Sequence, residues 1–204
     1  DEIDATKWVS ASELKSMMDP TSGLLKERPP SKNVATRHSK AVNVNQNTPR
    51  RPPMLESQHL FELRLDVPQI VDLGPTPMGH RRIATVAGGQ FEGERMRGTV
   101  EPSPGGDWLL LRPDGVLMLD VRLTLRTHDQ ALIYMAYRGL RHGPAEVMQK
   151  LNAGEPVDPK LYYFRMTPVF ETSDARYAWL NGIIAVGSGH REPSGPIYQV
   201  HEIL

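Results

Sequence analysis

The chain of 204 residues carries 24 basic and 24 acidic side chains, 39% hydrophobic residues and no cysteine. That excludes disulfides, thiolate metal sites and cysteine nucleophiles, and the balanced charge argues against nucleic acid, which needs a basic surplus on one face. No run approaches the ~18 apolar residues of a membrane helix and no signal-peptide core is visible, so a soluble, cytoplasmic protein that binds no membrane is expected.

Residues 1–57 read as an N-terminal arm. SASELKSMMDP predicts one short helix, with Ser10 or Ser12 as N-cap, Leu14, Met17 and Met18 on one side, and Pro20 beyond its end. Residues 28–53 then hold five prolines, scattered apolar residues and no acids. Such a stretch cannot bury enough apolar surface to offset its ordering entropy, so a linker is expected. Its basic residues come with few aromatics and make a weak nucleic-acid platform. Docking of the arm on the main domain, docking on a second subunit, and a free tail all remain open.

Residues 58–204 read as strands. HLFELRLDV alternates, with Phe61, Leu63, Leu65 and Val67 on one side. RRIATVAGG and GERMRGTVE follow. DWLLLRPDGVLMLDVRLTLRT carries a hairpin signature at Pro113-Asp114-Gly115. Its long arm sets Val121, Leu123 and Leu125 against Asp120, Arg122, Thr124 and Arg126. ALIYMAYRG, YYFRMTPVFE, GIIAVGSGH and PIYQVHEI bring the set to about nine strands. One helix is predicted after Gly143-Pro144, with Ala145, Val147, Met148 and Leu151 as its apolar stripe and Gly154 as its stop. Antiparallel strands in this number must close or stack to protect their edges. The long arms and the glycines between 88 and 106 favour an all-β, closed antiparallel barrel over a sandwich.

The chemistry-bearing motifs are few. The seven histidines lie far apart, with no pair at i+2 or i+4, and no carboxylate run has calcium-loop spacing. GGQFEGERMRG matches neither phosphate-binding fingerprint and reads as strand bends. No G-x-S-x-G occurs, and Ser188 has no organised His and Asp partners. What remains is a set of charged and aromatic residues on strands. In YYFRMTPVFE, Tyr163, Arg165 and Glu171 share one face, while Tyr162, Phe164, Met166 and Phe170 share the other. The polar row can be a solvated outer face with charges paired across strands. It can equally line a pocket, and the cavity is expected on the arginine row.

The segments GPTPMGHRRIATVAGGQFEG, GGDW, RPDG, LDVRLTLRT, YYFRMTPVFET and RYAWLN, in that order over 58–204, resemble the family called domain of unknown function 3237, or UPF0311. The resemblance implies a closed, calycin-like antiparallel barrel, often oligomeric, and brings no settled activity. Where members typically read T-x-D-G after the long strand, this chain has Thr127-His128-Asp129-Gln130. The matching motif positions include Arg81 or Arg82, Asp107, Trp108, Asp120, Arg122, Tyr134, Tyr163, Arg165, Glu171, Thr172, Trp179 and Asn181.

Together these give a small-molecule-binding barrel with a pocket at one mouth. Asp107 and Glu171 are the expected general acid/base residues. Arg82, Trp108, Arg122, Tyr134, Tyr163, Arg165, Trp179 and Asn181 are the expected ligand contacts, with Arg122 and Arg165 holding a carboxylate, enolate or phenolate. The expected chemistry is an isomerisation, a cyclisation, or a water addition or elimination, with no metal and no cofactor. A non-catalytic carrier barrel is the alternative, as is a structural subunit of a homo-oligomer with the arm at its interface. A carboxylate that is unpaired, or has a raised pKa, beside a cavity would discriminate the enzyme from the carrier.

Overall fold

Alternating apolar residues place one face of each strand inward, and the computed structural model describes residues 54–204 in this arrangement. The helix expected near Ser10 and the linker over 28–53 lie outside the described residues. Eleven strands run β1 (Ser57–Asp66), β2 (Gln69–Thr76), β3 (Gly79–Thr85), β4 (Gly88–Glu92), β5 (Arg97–Val100), β6 (Gly106–Leu111), β7 (Leu117–Thr127), β8 (Leu132–His142), β9 (Tyr163–Glu171), β10 (Ile184–Arg191) and β11 (Pro196–Ile203). One helix, α1 (Ala145–Asn152), follows β8. Two more strands are present than the sequence suggests. RRIATVAGG bends at Val86-Ala87 into β3 and β4, and PQIVDLGPT forms the edge strand β2, whose exposed Ile70, Val71 and Leu73 hide its alternation.

Eight strands close the barrel in the order β7-β5-β4-β1-β11-β10-β9-β8 and back to β7, with every pair antiparallel. The remaining three, β2-β3-β6, form a wing that pairs with the first half of β7, from Leu117 to Arg122. The second half of β7, from Leu125 to Thr127, pairs with β5 and completes the closure. One long strand thus serves both barrel and wing. The bends that separate them use glycine where backbones meet. At Gly89, φ is +147° and an added Cβ would stand 2.1 Å from the Arg64 carbonyl oxygen.

The core fills one half of the barrel. Phe61 packs on Phe91 and Phe170, with ring centroids 5.6 and 6.0 Å apart, over Met96, Leu125 and Ile133. On β9 the buried row is Phe164, Met166 and Phe170, continued by Tyr162 just before the strand. Tyr163, Arg165 and Glu171 face outward. The arginine row therefore does not face the barrel interior, because the larger apolar area of the aromatic row has more to gain from burial. Helix α1 begins after Pro144 and stops at Gly154, whose φ is +80°. Among the described residues, no helix is long and apolar enough to cross a membrane.

The turn after β7 forms without the glycine that the resemblance leads one to expect there. Gln130 takes φ +70°, its N–H donates to the Thr127 carbonyl, and the Ala131 N–H donates to the Thr127 hydroxyl. A left-handed side chain is strained by roughly 1–2 kcal/mol, partly offset by the entropy glycine would lose. Gln130→Gly should therefore raise stability by about 1 kcal/mol or slightly less, read as a higher urea midpoint at unchanged slope. A lower midpoint would show that the glutamine side chain contributes more than the strain it causes.

Candidate functional site

One end of the barrel opens into a cavity of about 550 Å³, walled by β1, β7, β8, β9, β10, β11 and the wing, with the end of α1 and the loop after it, residues 151–159, along one side. Each strand brings its inward row to this mouth. On β8 the row is Ile133, Met135, Tyr137, Gly139 and then Arg141. On β10 it is Ala185, Gly187, Gly189 and then Arg191. On the wing, Arg82 precedes buried Ala84 on β3, and Asp107 precedes buried Leu109 on β6. Gly189 leaves room for an aromatic ring: an added Cβ would stand 2.8 Å from the Tyr198 ring. That ring packs between Tyr137 and Phe164, with centroids 5.5 and 5.2 Å away.

The electrostatics of this cavity are unusual. Burial pushes the Asp107 carboxyl up to about 7, against a lowering hydrogen bond from the Asp120 N–H, which donates to its Oδ1 at 3.2 Å. The negative charge of Asp120 raises it further, and the positive charge of Arg141 lowers it. No ion pair among the described residues includes Asp107. Burial, and then the neighbouring phenol and Asp107, hold Tyr137 above the ordinary tyrosine range, while burial and then Asp107 do so for Tyr198. Both phenols therefore stay protonated donors. Four buried side-chain polar atoms among the described residues have no protein hydrogen-bond partner: Arg82 Nε, Arg141 Nε, Arg191 Nη1 and the Tyr198 hydroxyl. All four residues line this one cavity. Each such donor destabilises a fold by about 1–3 kcal/mol, and charged ones by more, so their gathering marks a place built for something other than stability.

Of the residues expected from sequence, Asp107 and Arg82 line the cavity. The others do not. Arg122 pairs with Asp120 at 3.1 Å on the outer face and lies 5.4 Å from the Trp108 ring. Trp108, Tyr163 and Arg165 line a more open outer depression of about 910 Å³. Tyr134 and Glu171 are register partners on the outside of β8 and β9. Trp179, in the turn Ala178–Gly182, is covered by the Arg95 guanidinium at 3.6 Å. Asn181 closes the loop after β9, accepting from the Thr172 N–H and donating to its carbonyl, each at 2.9 Å. The two general acid/base candidates are thus on opposite sides of the sheet, and of the two only Asp107 lines this cavity.

Tyr137, Arg141, Arg191 and Tyr198 do not stand out in the sequence. A signal for two of them exists. Arg141 and Arg191 have the parity of the apolar row of their own strands and stand at its end, as Arg82 does before Ala84. A charge on the buried parity at a strand end is what a barrel mouth requires.

The match to known proteins covers this barrel and its wing. The model of the family described as "Protein of unknown function (DUF3237)" matches residues 55–203. This chain belongs to the DUF3237 family. A UPF0311 protein of Rhodopseudomonas palustris is 38% identical over 152 residues, covering 74% of this chain and 99% of that protein. A β-barrel-like protein from Acinetobacter baumannii superposes with a TM-score of 0.67 at 38% identity, covering 76% of this chain and all of that one. An enzyme from Penicillium herquei shares the fold at 20% identity, with a TM-score of 0.58 over 77% of this chain and 100% of that one. Within this DUF3237 chain the matched segment holds every cavity residue named above, and the N-terminal 54 residues lie outside it.

Proposed function

We propose that this DUF3237 barrel is a cofactor-independent acid–base catalyst for a small carbonyl, phenolic or carboxylate-bearing metabolite, performing an isomerisation, a cyclisation, or a water addition or elimination. The observation that carries the reading is Asp107: a carboxyl held near 7, outside any ion pair among the described residues, on the wall of a cavity that also holds two phenols. A carrier has no need for such a group, and burial of an acid without a salt bridge is a cost that binding alone does not require.

In the proposed step the ionised Asp107 takes a proton from the carbon beside a carbonyl. The C–H pair becomes the enolate double bond, and the carbonyl pair moves to oxygen. That oxyanion accepts a hydrogen bond from the Tyr198 hydroxyl, which donates to no protein acceptor among the described residues. The protonated Asp107 then returns the proton to a different atom of the same intermediate, or to a leaving oxygen, and the carboxylate is restored. A pKa near neutrality serves both halves, since the group must take and give a proton at the same pH.

Proton exchange tests this even while the natural substrate is unidentified. Small ketones, keto acids and phenols in D2O, followed by NMR, should exchange their activated protons faster with the protein, with a rate inflection near pH 7. Asp107→Asn should lower the enhancement by about 100-fold or more. No enhancement for any compound, or one undiminished by Asp107→Asn, would count against the assignment.

A further inference from the structure

Acid–base chemistry at Asp107 uses one carboxyl and one phenol, and leaves three guanidiniums of the same cavity without a role. Arg82, Arg141 and Arg191 come from β3, β8 and β10, strands far apart in the chain. None belongs to an ion pair among the described residues, and each retains a buried N–H without a protein acceptor. Arg82 has exposed Asp72 as its cross-strand neighbour, whose carboxylate stands 2.6 Å from His80 Nε2. Arg141 Nη2 donates to the Asn152 amide oxygen at 3.3 Å and lies 5.7 Å from the Phe164 ring. Burial lowers the proton affinity of Arg141, and the like charges of Arg191 and Arg82 lower it further. Of the other acids on the cavity wall, Glu155 is exposed, and Glu192 is half-exposed and stands 3.5 Å from His190.

Three guanidiniums face the cavity beside Asp107, while Glu192, half-exposed like Arg82 and Arg191, and exposed Glu155 stand at its rim. Guanidinium is planar, does not lose its proton, and matches carboxylate and phosphoryl oxygens two at a time. Beside it the wall is apolar, with Leu65, Val86, Leu109, Leu117 and Val157 among its residues. We propose that the ligand of this cavity carries a dianionic group, either paired carboxylates or one phosphoryl group, held by Arg82, Arg141 and Arg191, on an apolar body that lies along this wall. That this ligand is also the substrate rests on the acid–base reading of Asp107; the anion anchor itself rests on the arginines alone. A monocarboxylate offers the three unpartnered N–H groups fewer acceptor oxygens than a phosphoryl group or paired carboxylates. A neutral ligand without acceptors leaves the buried N–H of each of the three guanidiniums unpartnered, which is the costliest arrangement.

The full chain can be titrated by calorimetry with inorganic phosphate, malonate and acetate at matched ionic strength. Phosphate or malonate should bind at least 10-fold more tightly than acetate, and the tighter of the two identifies the phosphoryl or the dicarboxylate source. Arg191→Met should lose at least 10-fold in dianion affinity, yet melt at the same or a higher temperature without ligand, because it removes a half-buried charge that has no ion-pair partner among the described residues. Arg82→Met is the second variant, with the same two expectations, should the first fail to fold. Equal affinity for acetate and both dianions overturns the proposal. So does a lower melting temperature in the folded methionine variants with dianion affinity unchanged, which would make these arginines structural. Asp107→Asn separates the two readings. Dianion binding that persists in that variant, with no proton exchange in the wild type, sinks the acid–base reading and leaves the anchor standing. Exchange without any preference for dianions does the reverse.

Discussion

Asp107→Asn should make the protein more stable than wild type, by a margin that grows from about pH 4 to pH 7 and stays constant above it. In the folded chain the carboxyl is held at about 7, against an ordinary value of 3.8. The native state therefore binds more protons than the unfolded state between these values, and stability falls as pH rises through the window. The group's contribution is complete below pH 4 and lost above pH 7. A shift of about three units corresponds to something on the order of 4 kcal/mol. Asparagine carries no charge at any pH, and its Oδ1 can still accept from the Asp120 N–H that now reaches Asp107 at 3.2 Å. Wild type and variant should match near pH 4 and separate by pH 8, with the variant melting on the order of 10 °C higher. Parallel stability curves for the two proteins between pH 4 and 8 would mean that Asp107 titrates normally, and the catalytic reading would lose its support. A variant that is more stable but inactive is the usual mark of a group retained for function.

The second large effect concerns closure. Only Gly98, Thr99 and Val100 of β5 pair with β7, so this short seam joins the two ends of the barrel sheet. An added Cβ on Gly98 would stand 2.0 Å from the Arg126 carbonyl oxygen and 2.8 Å from the Thr127 Cα, both backbone atoms that no side-chain rotation can move. Gly98→Ala must therefore push β5 from β7, lengthening the hydrogen bonds of the seam and disturbing buried Thr127. The expected loss is about 3 kcal/mol or more, larger than typical overpacking because the strain falls on the ladder itself. Denaturant unfolding followed by far-UV circular dichroism measures it. Gly115→Ala is the control: φ there is +82° but no atom lies within 4 Å, so only local strain is added. If both alanines destabilise equally, steric contact at the seam is not the cause.

The two halves of the site differ in how far they are legible in the chain. Asp107 and Arg82 stand in motif segments, and the sequence points to both. Tyr137 and Tyr198 look like ordinary core aromatics, since a buried tyrosine at the end of an apolar row differs from a phenylalanine only in where its hydroxyl points. Arg122 and Arg165 are the arginines that the sequence offers for anion binding, whereas the cavity holds Arg141 and Arg191 instead. On β7 and β9, strand parity alone assigns charged residues to the face opposite the apolar row, and both arginines follow it outward. Arg141 and Arg191 break that rule at their strand ends.

The alternation of apolar and polar residues determined nine of the eleven strands, the inward face of β7 and the all-β class, because burial of one face is a local property of period two, and the apolar stripe after Pro144 determined the helix at its own period of 3.6. Closure of eight strands with a three-strand wing was decided only in three dimensions. So was the meeting of Asp107, Tyr137, Tyr198 and three arginines, from five different strands, around one cavity. Pairing partners depend on contacts between residues far apart in the chain, and no local pattern encodes which distant strand supplies the opposite wall. The same holds for the pKa of Asp107, which follows from desolvation by walls that β6 does not itself provide.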